Sequence, residues 1–576
     1  MEKSKLKKLI EIATGRQKAD LVIKNSKIVD VYNFRIIEGD IAISDDLIAG
    51  VGEYSGEVEI DANGKFASPG LIDGHIHVES SYVSPEELGR MVVPHGTTTI
   101  VADPHEIVNV FSIKGLDYMI EASKGTALDI KWMLPTCVPA TPFEHSGAVI
   151  DSNVMREPIK RDDVFGVGEF MNFPGLINTD DDVLEKISIA QKEGKVIDGH
   201  CPGIKGNSLN AYASAGIRAD HECETVDDML DRISRGMYVM LRQGSACHDL
   251  TTMLKGLTER NSRRCVFCAD DLQPKTILSK GHIDNNLRMC VEAGVDPIVA
   301  ISIGTINTAE CFKMDDRGAI APGKKANIVL FDNLKDFNAK EVFIDGKSVA
   351  KDGAYLPEIK YYSPKEMTKG FNVKDFSVEK LKLQIKSNKA NVIKILPGGV
   401  VTAKEVIEIN RDENEEFVFS KDTDIVKVAV VERHQNTGNV AKALLKGYGI
   451  KEGAIALSIA HDSHNIIVVG VNDQDMSFAV EELIKQGGGI ILVKDNKVIE
   501  SMPMIIGGIM SDKSGEWVRD KLTTIHQVAH KELKVSEDVE PVMTLCFMSL
   551  AVIPEVKLTD MGLFDVTKFD FIDIEA

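Results

Sequence analysis

Short apolar stretches separated by turn residues fill the first part of the chain. Between residues 20 and 66 they lie at 20–24, 27–32, 39–43, 47–52 and 57–61, a spacing typical of a small all-β module. So few strands do not comfortably close a core of their own. A matching fragment occurs much later, at 323–332 and 341–347. We therefore predict that both fragments build one composite β-sandwich, with the intervening chain inserted between them.

The inserted segment, residues 69–320, alternates strand-like and helix-like patterns. Apolar positions at helical spacing occur at 181–193 and 226–234, among others. The eight candidate strands lie at 70–78, 97–102, 130–136, 164–170, 195–199, 217–221, 237–242 and 265–269. Such repeats over about 250 residues predict an α/β fold with a (β/α)8 barrel, or TIM barrel, whose chemistry lies at the C-terminal strand ends.

The last third of the chain shows a different alternation of strands and helices. Residues 355–395 are rich in Lys, Ser and Pro and show little periodicity, which predicts a linker. Beyond it, candidate helices at 476–486 and 515–533 predict an α/β or α+β domain. Its candidate strands lie at 400–409, 425–431, 454–459, 466–471 and 489–493. The predicted division is 1–68 (helix and first part of the sandwich), 69–320 (barrel), 321–354 (second part of the sandwich), 355–395 (linker) and 396–576 (C-terminal domain).

Composition fits a soluble globular protein, with 43% hydrophobic and 27% charged residues among 576. The formal net charge of −21 leaves no basic excess, which argues against nucleic-acid and acidic-membrane partners. Nine cysteines without a compact framework indicate reduced thiols and a cytoplasmic location. No apolar run reaches the roughly 18 residues of a membrane span. Residues 1–16 are basic and amphipathic, without the apolar core of a signal peptide, and are predicted to form a surface helix.

Two histidines lie at the end of the first candidate barrel strand. The stretch Pro-Gly-Leu-Ile-Asp-Gly-His-Ile-His-Val-Glu-Ser at 69–80 has the apolar run of a buried strand and contains His75 and His77. Alternate residues of a strand share a face, so the two imidazoles point the same way, about 6 to 7 Å apart at the backbone. Two imidazoles so placed can hold one metal ion, and the alternative is a pair of polar loop residues.

Further imidazoles and carboxylates occupy the ends of other candidate strands. Glu169 ends the fourth strand, His200 follows the fifth, His221 the sixth and Asp270 the eighth. Any one of these alone suits a polar loop residue. Together with the two histidines of the first strand they make six ligands at one rim. Six ligands, one of them able to bridge, suit two divalent ions about 3.5 to 4 Å apart.

This pattern is similar to that of a known group of enzymes. Residues 69–77, with His200, His221 and Asp270, resemble the pattern of the amidohydrolase superfamily. Stretches distributed nearly from end to end resemble, more narrowly, the adenine deaminase family. They lie at 101–107, 199–206, 210–222, 315–323, 453–465 and 558–563. The two C-terminal stretches, Gly-Ala-Ile-Ala-Leu-Ser-Ile-Ala-His-Asp-Ser-His-Asn and Leu-Thr-Asp-Met-Gly-Leu, point to this family, because His-x-His alone names only the superfamily.

The resemblance implies an activity and a cofactor. The activity is hydrolysis of adenine to hypoxanthine and ammonia, in purine salvage or catabolism. The cofactor is a pair of divalent metal ions. Carboxylate and imidazole ligands without thiolate suit Mn²⁺, Fe²⁺ or Zn²⁺, and the resemblance favours manganese or iron. The expected partners are a small purine base and a second copy of the chain in a homodimer.

The resemblance also implies a role for each ligand. Glu169 bridges the two ions, and Asp270 both binds metal and takes the proton from the attacking water. The other ligands are two histidine pairs, one on each ion: His75 with His77, and His200 with His221.

Two departures from related enzymes bear on the proton donor. Many relatives bridge their ions with a carbamylated lysine on the fourth strand, whereas this chain offers Glu169 and no nearby lysine. Several purine and pyrimidine deaminases of the superfamily place a glutamate shortly after the fifth-strand histidine. This chain has Cys-Pro-Gly-Ile at 201–204 instead. The donor to the ring nitrogen is therefore open between Glu222 and Glu169.

Deamination requires catalytic and substrate-binding groups in addition to the metal ligands. Displacing an exocyclic amine at neutral pH needs a strong nucleophile, which a metal ion supplies by lowering the pKa of bound water to about 7. A carboxylate must shuttle the proton to the ring or the leaving group. Asp271 cannot share the direction of Asp270, so we assign it to substrate contact, with a helix N-cap as the alternative. His105 and Glu106 either line the pocket or belong to a structural loop.

Two other motifs have open interpretations. Cys265 and Cys268 have the spacing of the zinc cytidine-deaminase signature but lack its proline, and we interpret them as core residues on opposite faces of a strand. His461 and His464, in the stretch His-Asp-Ser-His after a candidate strand, fit three interpretations. They form a second metal site, they belong to a loop that reaches the barrel mouth, or they cap local structure.

Two other functions remain as alternatives to adenine deamination. One is hydrolysis of a cyclic amide or imide by the same superfamily, as in hydantoinases and dihydroorotases. The glutamate at the end of the fourth strand, Glu169, and the presence of a C-terminal domain argue against a cyclic amide or imide hydrolase. The other is a non-catalytic scaffold on this fold. Such scaffolds usually lose metal ligands, whereas all six are present here.

Overall fold

The computed structural model describes residues 1–576 and begins with a helix, Lys3–Ala13. The amphipathic pattern of residues 1–16 predicted this helix, and the prediction is confirmed. Leu9 and Ile12 are its buried residues, and they pack with Val22 and Ala42 of the first sheet. The outward positions carry the lysines that give the segment its basic character.

Strands from two distant parts of the chain form one nine-stranded sheet. Phe66–Pro69 pairs antiparallel with Ile328–Phe331, with Ala67 opposite Leu330. The N-terminal strands are Ala19–Asp30, Arg35–Ser44, Leu47–Gly52, Gly56–Asp61 and Phe66–Pro69. The later strands are Ile328–Phe331, Ala339–Ile344, Lys347–Lys351 and Ala354–Tyr355. The two fragments thus share one module, as their matching patterns predicted.

Parallel strands form the barrel between these two fragments. The strands are Leu71–His77, Thr97–Ala102, Asp129–Leu134, Gly166–Phe170, Val196–Gly199, Ala219–Asp220, Tyr238–Arg242 and Cys265–Cys268, with the extension Asp270–Asp271. Asp270–Asp271 pairs with the first strand, Asp270 opposite Ile76, and so brings the last strand back to the first. The predicted fold class, an α/β protein with a barrel, is confirmed.

The sixth barrel strand is shorter than predicted. The pattern at 217–221 predicts five residues, whereas only Ala219–Asp220 is paired. These two residues pair with Tyr238 and Val239 of the seventh strand. Since the chain leaves the ladder directly after Asp220, His221 stands free of the sheet at the rim.

Apolar side chains from strands around the barrel meet in its interior. This buried cluster includes Ile72, Val101, Met133, Val196, Ala219, Met240, Val266 and Cys268. Cys265 belongs instead to the large cluster outside the barrel. The two cysteines therefore lie on opposite faces of the eighth strand and are core residues, as predicted.

Helices connect the barrel strands, and several begin at a side-chain cap. Asp180 accepts a hydrogen bond from the amide of Val183 at the start of Asp181–Lys192. Thr225 and Asp228 form a capping box at the start of Val226–Ser234. The α-helices are Pro85–Val92, His105–Phe111, Ile113–Ser123, Ser152–Met155, Phe173–Ile177, Asp181–Lys192, Gly206–Ser214, Val226–Ser234, Leu250–Met253, Pro274–Lys280, Ile283–Glu292, Pro297–Ser302 and Thr308–Cys311. No helix in the protein is both long and apolar enough to cross a membrane.

The C-terminal part contains an eight-stranded sheet, three helices and a small sheet. The strands of the large sheet are Lys389–Ile395, Thr402–Glu408, Ile425–Val431, Val440–Lys446, Ala454–Ala460, Asn465–Gly470, Gly489–Lys494 and Lys497–Pro503. The helices are Asp473–Gln486, Gly515–Glu532 and Pro541–Cys546, and the small sheet has Val556–Thr559, Gly562–Asp565 and Asp570–Phe571. This mixture of sheets and helices confirms the predicted α/β or α+β class.

Some strands of the large sheet were not predicted from the sequence. Lys389–Ile395 lies inside the range 355–395 that the composition assigned to a linker. Val440–Lys446 has the spacing of lysines found on an amphipathic helix, yet it pairs with Ile425–Val431 along its whole length. Cross-strand partners, which are remote in sequence, decide both cases. The limits of the domains remain predictions.

The C-terminal part packs against the C-terminal rim of the barrel. One buried apolar cluster of 108 residues draws from both parts. Hydrogen bonds cross the boundary: Asn465 donates to the His145 carbonyl at 2.8 Å, and the Ser511 amide donates to the Tyr82 carbonyl at 2.8 Å. The loop after Ala454–Ala460 therefore faces the strand ends at which the candidate ligands lie.

Candidate metal centre and active site

The two histidines of the first barrel strand point their Nε2 atoms at each other. The His75 Nε2 and His77 Nε2 atoms are 3.1 Å apart, and both side chains are buried. His75 donates from Nδ1 to the Asp198 carboxylate at 2.9 Å, and His77 donates from Nδ1 to the Asp103 carbonyl at 2.9 Å. In neutral imidazoles this leaves a lone pair on each Nε2. Two lone pairs facing each other at this distance suit a cation bound between them, so these residues fit a metal ion.

Asp270 completes this first group of ligands. Its Oδ1 lies 3.2 Å from His77 Nε2 and 3.8 Å from His75 Nε2. The residue has a left-handed backbone with φ of 58°, at the junction between Cys265–Cys268 and Asp270–Asp271. Such a conformation is uncommon for a residue other than glycine and is found at functional sites. It turns the Asp270 carboxylate towards the histidines of the neighbouring first strand.

His200 and His221 form a second group with one oxygen of Glu169. Glu169 Oε2 lies 2.8 Å from His200 Nδ1 and 3.4 Å from His221 Nε2. The two histidine nitrogens are 3.3 Å apart. The other oxygen of Glu169, Oε1, lies 3.4 Å from His77 Nε2. Glu169 therefore stands between the two histidine groups with one oxygen towards each, which is the geometry of a bridging carboxylate.

The surrounding charges keep the carboxylates of this site ionised. Burial by itself raises the pKa of Glu169, but His200 and its neighbours hold that pKa well below the ordinary value. Burial opposes ionisation of Asp270 too, yet a hydrogen bond from His77, which requires the protonated ring in place of a bound cation, and the charge of Arg242 hold its pKa well below the ordinary value. Ionised carboxylates are the form that binds metal. The site thus concentrates negative charge in a buried place, which favours cations.

Arg242 is a residue of the site that the sequence reasoning missed. Its guanidinium donates to Asp270 Oδ2 at 2.9 Å and also contacts the carboxylate of Glu222. Arg242 ends the seventh barrel strand, so the strand-end rule that gave the other ligands points to it as well. The same rule points to Asp103, which follows the second strand and accepts the amide of Glu169 at 2.8 Å.

Glu222 lies beside the second group of ligands. Its Oε1 is 3.3 Å from His221 Nε2 and 3.7 Å from His200 Nδ1. Burial raises the pKa of Glu222, and the charge of Arg242 outweighs this effect, so that its pKa lies below the ordinary value. The structure thus brings this predicted catalytic residue to the ligands.

Asp271 points away from Asp270 and does not cap a helix. The following helix begins at Pro274, and its N-cap position is Gln273. The helix N-cap interpretation of Asp271 was therefore wrong. The Asp271 Oδ1 atom lies 2.5 Å from the Ser80 hydroxyl, which also donates to Glu106 Oε1 at 3.0 Å. The partly buried Asp271 carboxyl is placed beside the ligands rather than among them.

His105 enters the site from the start of the helix His105–Phe111. Its Nδ1 atom lies 3.2 Å from Glu169 Oε1, and its Nε2 atom lies 3.8 Å from Asp462 Oδ1. His105 is 4% exposed, so it belongs to the wall of the site and not to a surface loop. It also touches the loop that the C-terminal part sends to the barrel.

That loop contains His461 and His464 and reaches the barrel mouth. It follows the strand Ala454–Ala460, and all of its side chains are buried. His461 Nδ1 lies 3.2 Å from Glu106 Oε1, and His464 Nε2 lies 3.9 Å from Glu106 Oε2. Of the interpretations open from the sequence, a loop at the barrel mouth is therefore confirmed. It covers the strand ends on the side of His105.

Known proteins match this chain over its whole length. The amidohydrolase family profile matches residues 66–349, and the profile of the adenine deaminase C-terminal domain matches residues 399–570. Adenine deaminase 2 of Desulfotalea psychrophila is 67% identical over 576 residues, which cover 100% of both chains. Adenine deaminase of Ligilactobacillus salivarius is 51% identical over 576 residues, again covering 100% of both chains.

Proposed function

The chain belongs to the adenine deaminase family of amidohydrolases, and from this membership we propose that its six-ligand site hydrolyses adenine to hypoxanthine and ammonia. The observation that carries the proposal is the position of Glu169. One of its oxygens faces His77, and the other faces His200 at 2.8 Å and His221. A carboxylate between two imidazole groups suits a binuclear centre, and bound metal supplies the nucleophilic water that this hydrolysis needs.

We propose that His75, His77 and Asp270 hold one divalent ion, that His200 and His221 hold the other, and that Glu169 bridges them. Divalent ions at this site supply Lewis-acid chemistry and a nucleophilic water near neutral pH. The nitrogen and oxygen ligands, without thiolate, suit Mn²⁺, Fe²⁺ or Zn²⁺, and the family resemblance favours Mn²⁺ or Fe²⁺ as the native ions.

We propose that Asp270 takes the proton of the attacking water. Its Oδ2 is held by Arg242 at 2.9 Å, and its Oδ1 faces the histidine nitrogens. A base held at one oxygen keeps the other in a fixed direction, which general-base catalysis needs. Both oxygens of Glu169 face imidazoles, whereas Glu222 lies at the edge of the ligand group. We therefore propose Glu222 as the group that passes the proton to the purine ring.

Asp271 and His105 are proposed to contact the purine. Asp271 lies beside Asp270 but points towards Ser80, so its carboxyl faces a different part of the pocket. We propose that it forms a hydrogen bond with the ring, at N7. His105 lies against Glu169 and the C-terminal loop, and it forms another part of the wall.

The substitution Asp271→Asn is expected to lower kcat/KM for adenine by about 10-fold or more, or about 1.4 kcal/mol of transition-state stabilisation. The amide keeps the shape of the side chain but changes a hydrogen bond to the substrate. Steady-state kinetics and metal analysis on the purified variant test this. Loss of bound metal from Asp271→Asn would contradict a role confined to substrate contact.

Removal of residues 389–576 is expected to lower turnover by about 10²-fold or more, the cost of about 1 Å of misplacement in a site. The six ligands remain in the truncated chain, but the loop with His461 and Asp462 no longer covers them. The apolar cluster shared by both parts becomes exposed, so solubility should fall too. A variant without residues 1–13, the surface helix, is the control and should keep its turnover. A truncated chain as active as the full one would show that the C-terminal part is dispensable.

The partner and location also remain proposals. We propose that the small-molecule partner is the free purine base, and that the enzyme works as a homodimer in the cytoplasm. All nine cysteines are free thiols, which supports a reducing compartment. Sedimentation of the purified protein would show the oligomeric state.

A panel assay tests the proposed reaction against its nearest alternative. Purified, metal-loaded protein is incubated with adenine, guanine, cytosine, hydantoin and dihydroorotate, and ammonia and ring-opened products are measured. We expect ammonia from adenine at a rate well above the other substrates. Ring opening of hydantoin or dihydroorotate, with adenine inert, would favour a cyclic amide hydrolase.

A further inference from the structure

Three side chains form a separate buried cluster where the barrel meets the C-terminal part. Glu106 comes from the barrel helix His105–Phe111, and His461 and His464 come from the loop after Ala454–Ala460. We call these three residues the interdomain cluster. Their ligand atoms lie within 4.8 Å of one another, and all three side chains are buried. None of them belongs to the six proposed ligands of the catalytic site.

His464 has no hydrogen-bond partner on either ring nitrogen, although its exposure is 0%. Buried polar atoms nearly always have a partner, and an imidazole without one is costly. The backbone of His464 is also in a sparsely populated conformation, left-handed with φ of 57°, which costs conformational free energy. An unpartnered, buried nitrogen that points at a carboxylate indicates a ligand that the three side chains share.

Arg433 fixes the backbone of this loop. Its guanidinium contacts the carbonyl of His464 and donates to the carbonyls of Gly370 at 2.7 Å and Gly507 at 2.9 Å. The Asn465 side chain ties the other side of the loop to the barrel at the His145 carbonyl. The loop is therefore held from both sides, and the imidazoles are directed at Glu106 without depending on their own hydrogen bonds.

We propose that Glu106, His461 and His464 form a further metal site, distinct from the catalytic centre, that takes a divalent transition ion such as Zn²⁺. Two imidazoles and one carboxylate are a ligand set that zinc accepts, with bonds of about 2.0 to 2.2 Å. Ligand atoms around a tetrahedral ion with such bonds are about 3.4 Å apart. The distances from Glu106 to His461 Nδ1, 3.2 Å, and to His464 Nε2, 3.9 Å, lie on either side of this value.

A simple ion pair does not account for the whole cluster. Protonated His461 beside Glu106 satisfies those two groups and leaves His464 buried without a partner. An ion at this place accounts for all three side chains.

Two residues, His105 and Ser80, lie between the interdomain cluster and the catalytic site. His105, the residue before Glu106, points the other way and lies 3.2 Å from Glu169 Oε1. Ser80 stands between Glu106 and Asp271 and donates to Glu106 at 3.0 Å. The two sites therefore share a wall but no ligand. An ion in the interdomain cluster would tie the C-terminal loop to the barrel directly beside the substrate pocket.

Metal content of the full-length protein tests the proposal. Protein saturated with Zn²⁺ and freed of excess ion by gel filtration is analysed by inductively coupled plasma mass spectrometry. We expect three ions per wild-type chain and two per chain in His464→Gln and Glu106→Gln. The control is His145→Gln, which removes another histidine paired with a carboxylate between the two parts, at Asp560. It should keep three ions. The same number of ions per chain in the wild type and in His464→Gln would overturn the proposal, whatever the number held by the catalytic ligands.

Anomalous scattering at the zinc edge gives a second test that needs no variant. Crystals of the wild-type protein grown with Zn²⁺ should show a peak between Glu106, His461 and His464, in addition to peaks at the catalytic ligands. Peaks at the catalytic ligands alone would refute the further site. Neither test depends on adenine deamination, so each stands or falls separately from the proposed reaction.

Discussion

Chelation of divalent ions is expected to reduce adenine deamination to background, and added Mn²⁺ is expected to restore it. His75 and His77 each use Nδ1 as a donor and face each other through Nε2 at 3.1 Å. Without a cation these nitrogens, Asp270 and Glu169 bind nothing that can activate water at neutral pH. The measurement is the rate of hypoxanthine formation before chelation, after removal of the chelator and after addition of Mn²⁺.

Folding must be followed in the same samples. Circular dichroism and thermal unfolding of the chelated protein show whether activity falls because the site is empty or because the chain unfolds. Ca²⁺, which prefers a larger set of oxygen ligands, is the matched control and should not restore activity. Full activity in protein shown by elemental analysis to be free of metal would contradict the assignment of the ligands.

Asp270→Asn is expected to lower turnover of adenine by at least about 10²-fold, the low end for loss of general-base catalysis. The amide keeps the shape of the side chain but removes a basic oxygen that faces the histidines. Arg242, which donates to this carboxylate at 2.9 Å, would face a neutral partner. Steady-state kinetics should be compared with the wild type at equal metal content per chain, because weakened metal binding also lowers the rate.

Asp249→Asn is a matched control for this substitution. Asp249 also accepts a hydrogen bond from Arg242, at 2.8 Å, but lies away from the proposed ligands. The substitution neutralises a carboxylate that pairs with the same arginine and leaves the proposed metal ligands unchanged. Turnover should therefore stay within a few-fold of the wild type. If Asp270→Asn is fully active while Asp271→Asn is inert and depleted of metal, the roles of the two aspartates are reversed.

The local part of the fold could be predicted from the sequence. Thr97–Ala102 and Ile425–Val431 were predicted to the residue, because a run of apolar or β-branched residues ends at a clear break in each case. The candidate ligands could also be predicted, from their positions at the C-terminal ends of the predicted barrel strands. Parallel barrel strands end at one rim, so polar residues that follow different strands meet there, however far apart they are in sequence.

The residues that were missed depend on contacts between distant parts of the chain. Asp198 holds the ring of His75 across 123 positions of sequence, and no local pattern marks that pair. Glu106 and His461 come from separate domains, so only the docking of the two parts brings them together. Val440–Lys446 is a strand because its neighbours in the sheet are strands, although its own lysine spacing resembles that of a helix.

The most direct test of the central claim is hydrolysis of adenine in water enriched in oxygen-18. Metal-loaded, full-length protein is incubated with adenine, ammonia is quantified, and the purine product is analysed by mass spectrometry. Hydrolytic deamination predicts one ammonia per adenine consumed and hypoxanthine that carries one oxygen-18 at C6. Adenine recovered unchanged by fully metal-loaded protein, or a product without the solvent oxygen, would contradict it.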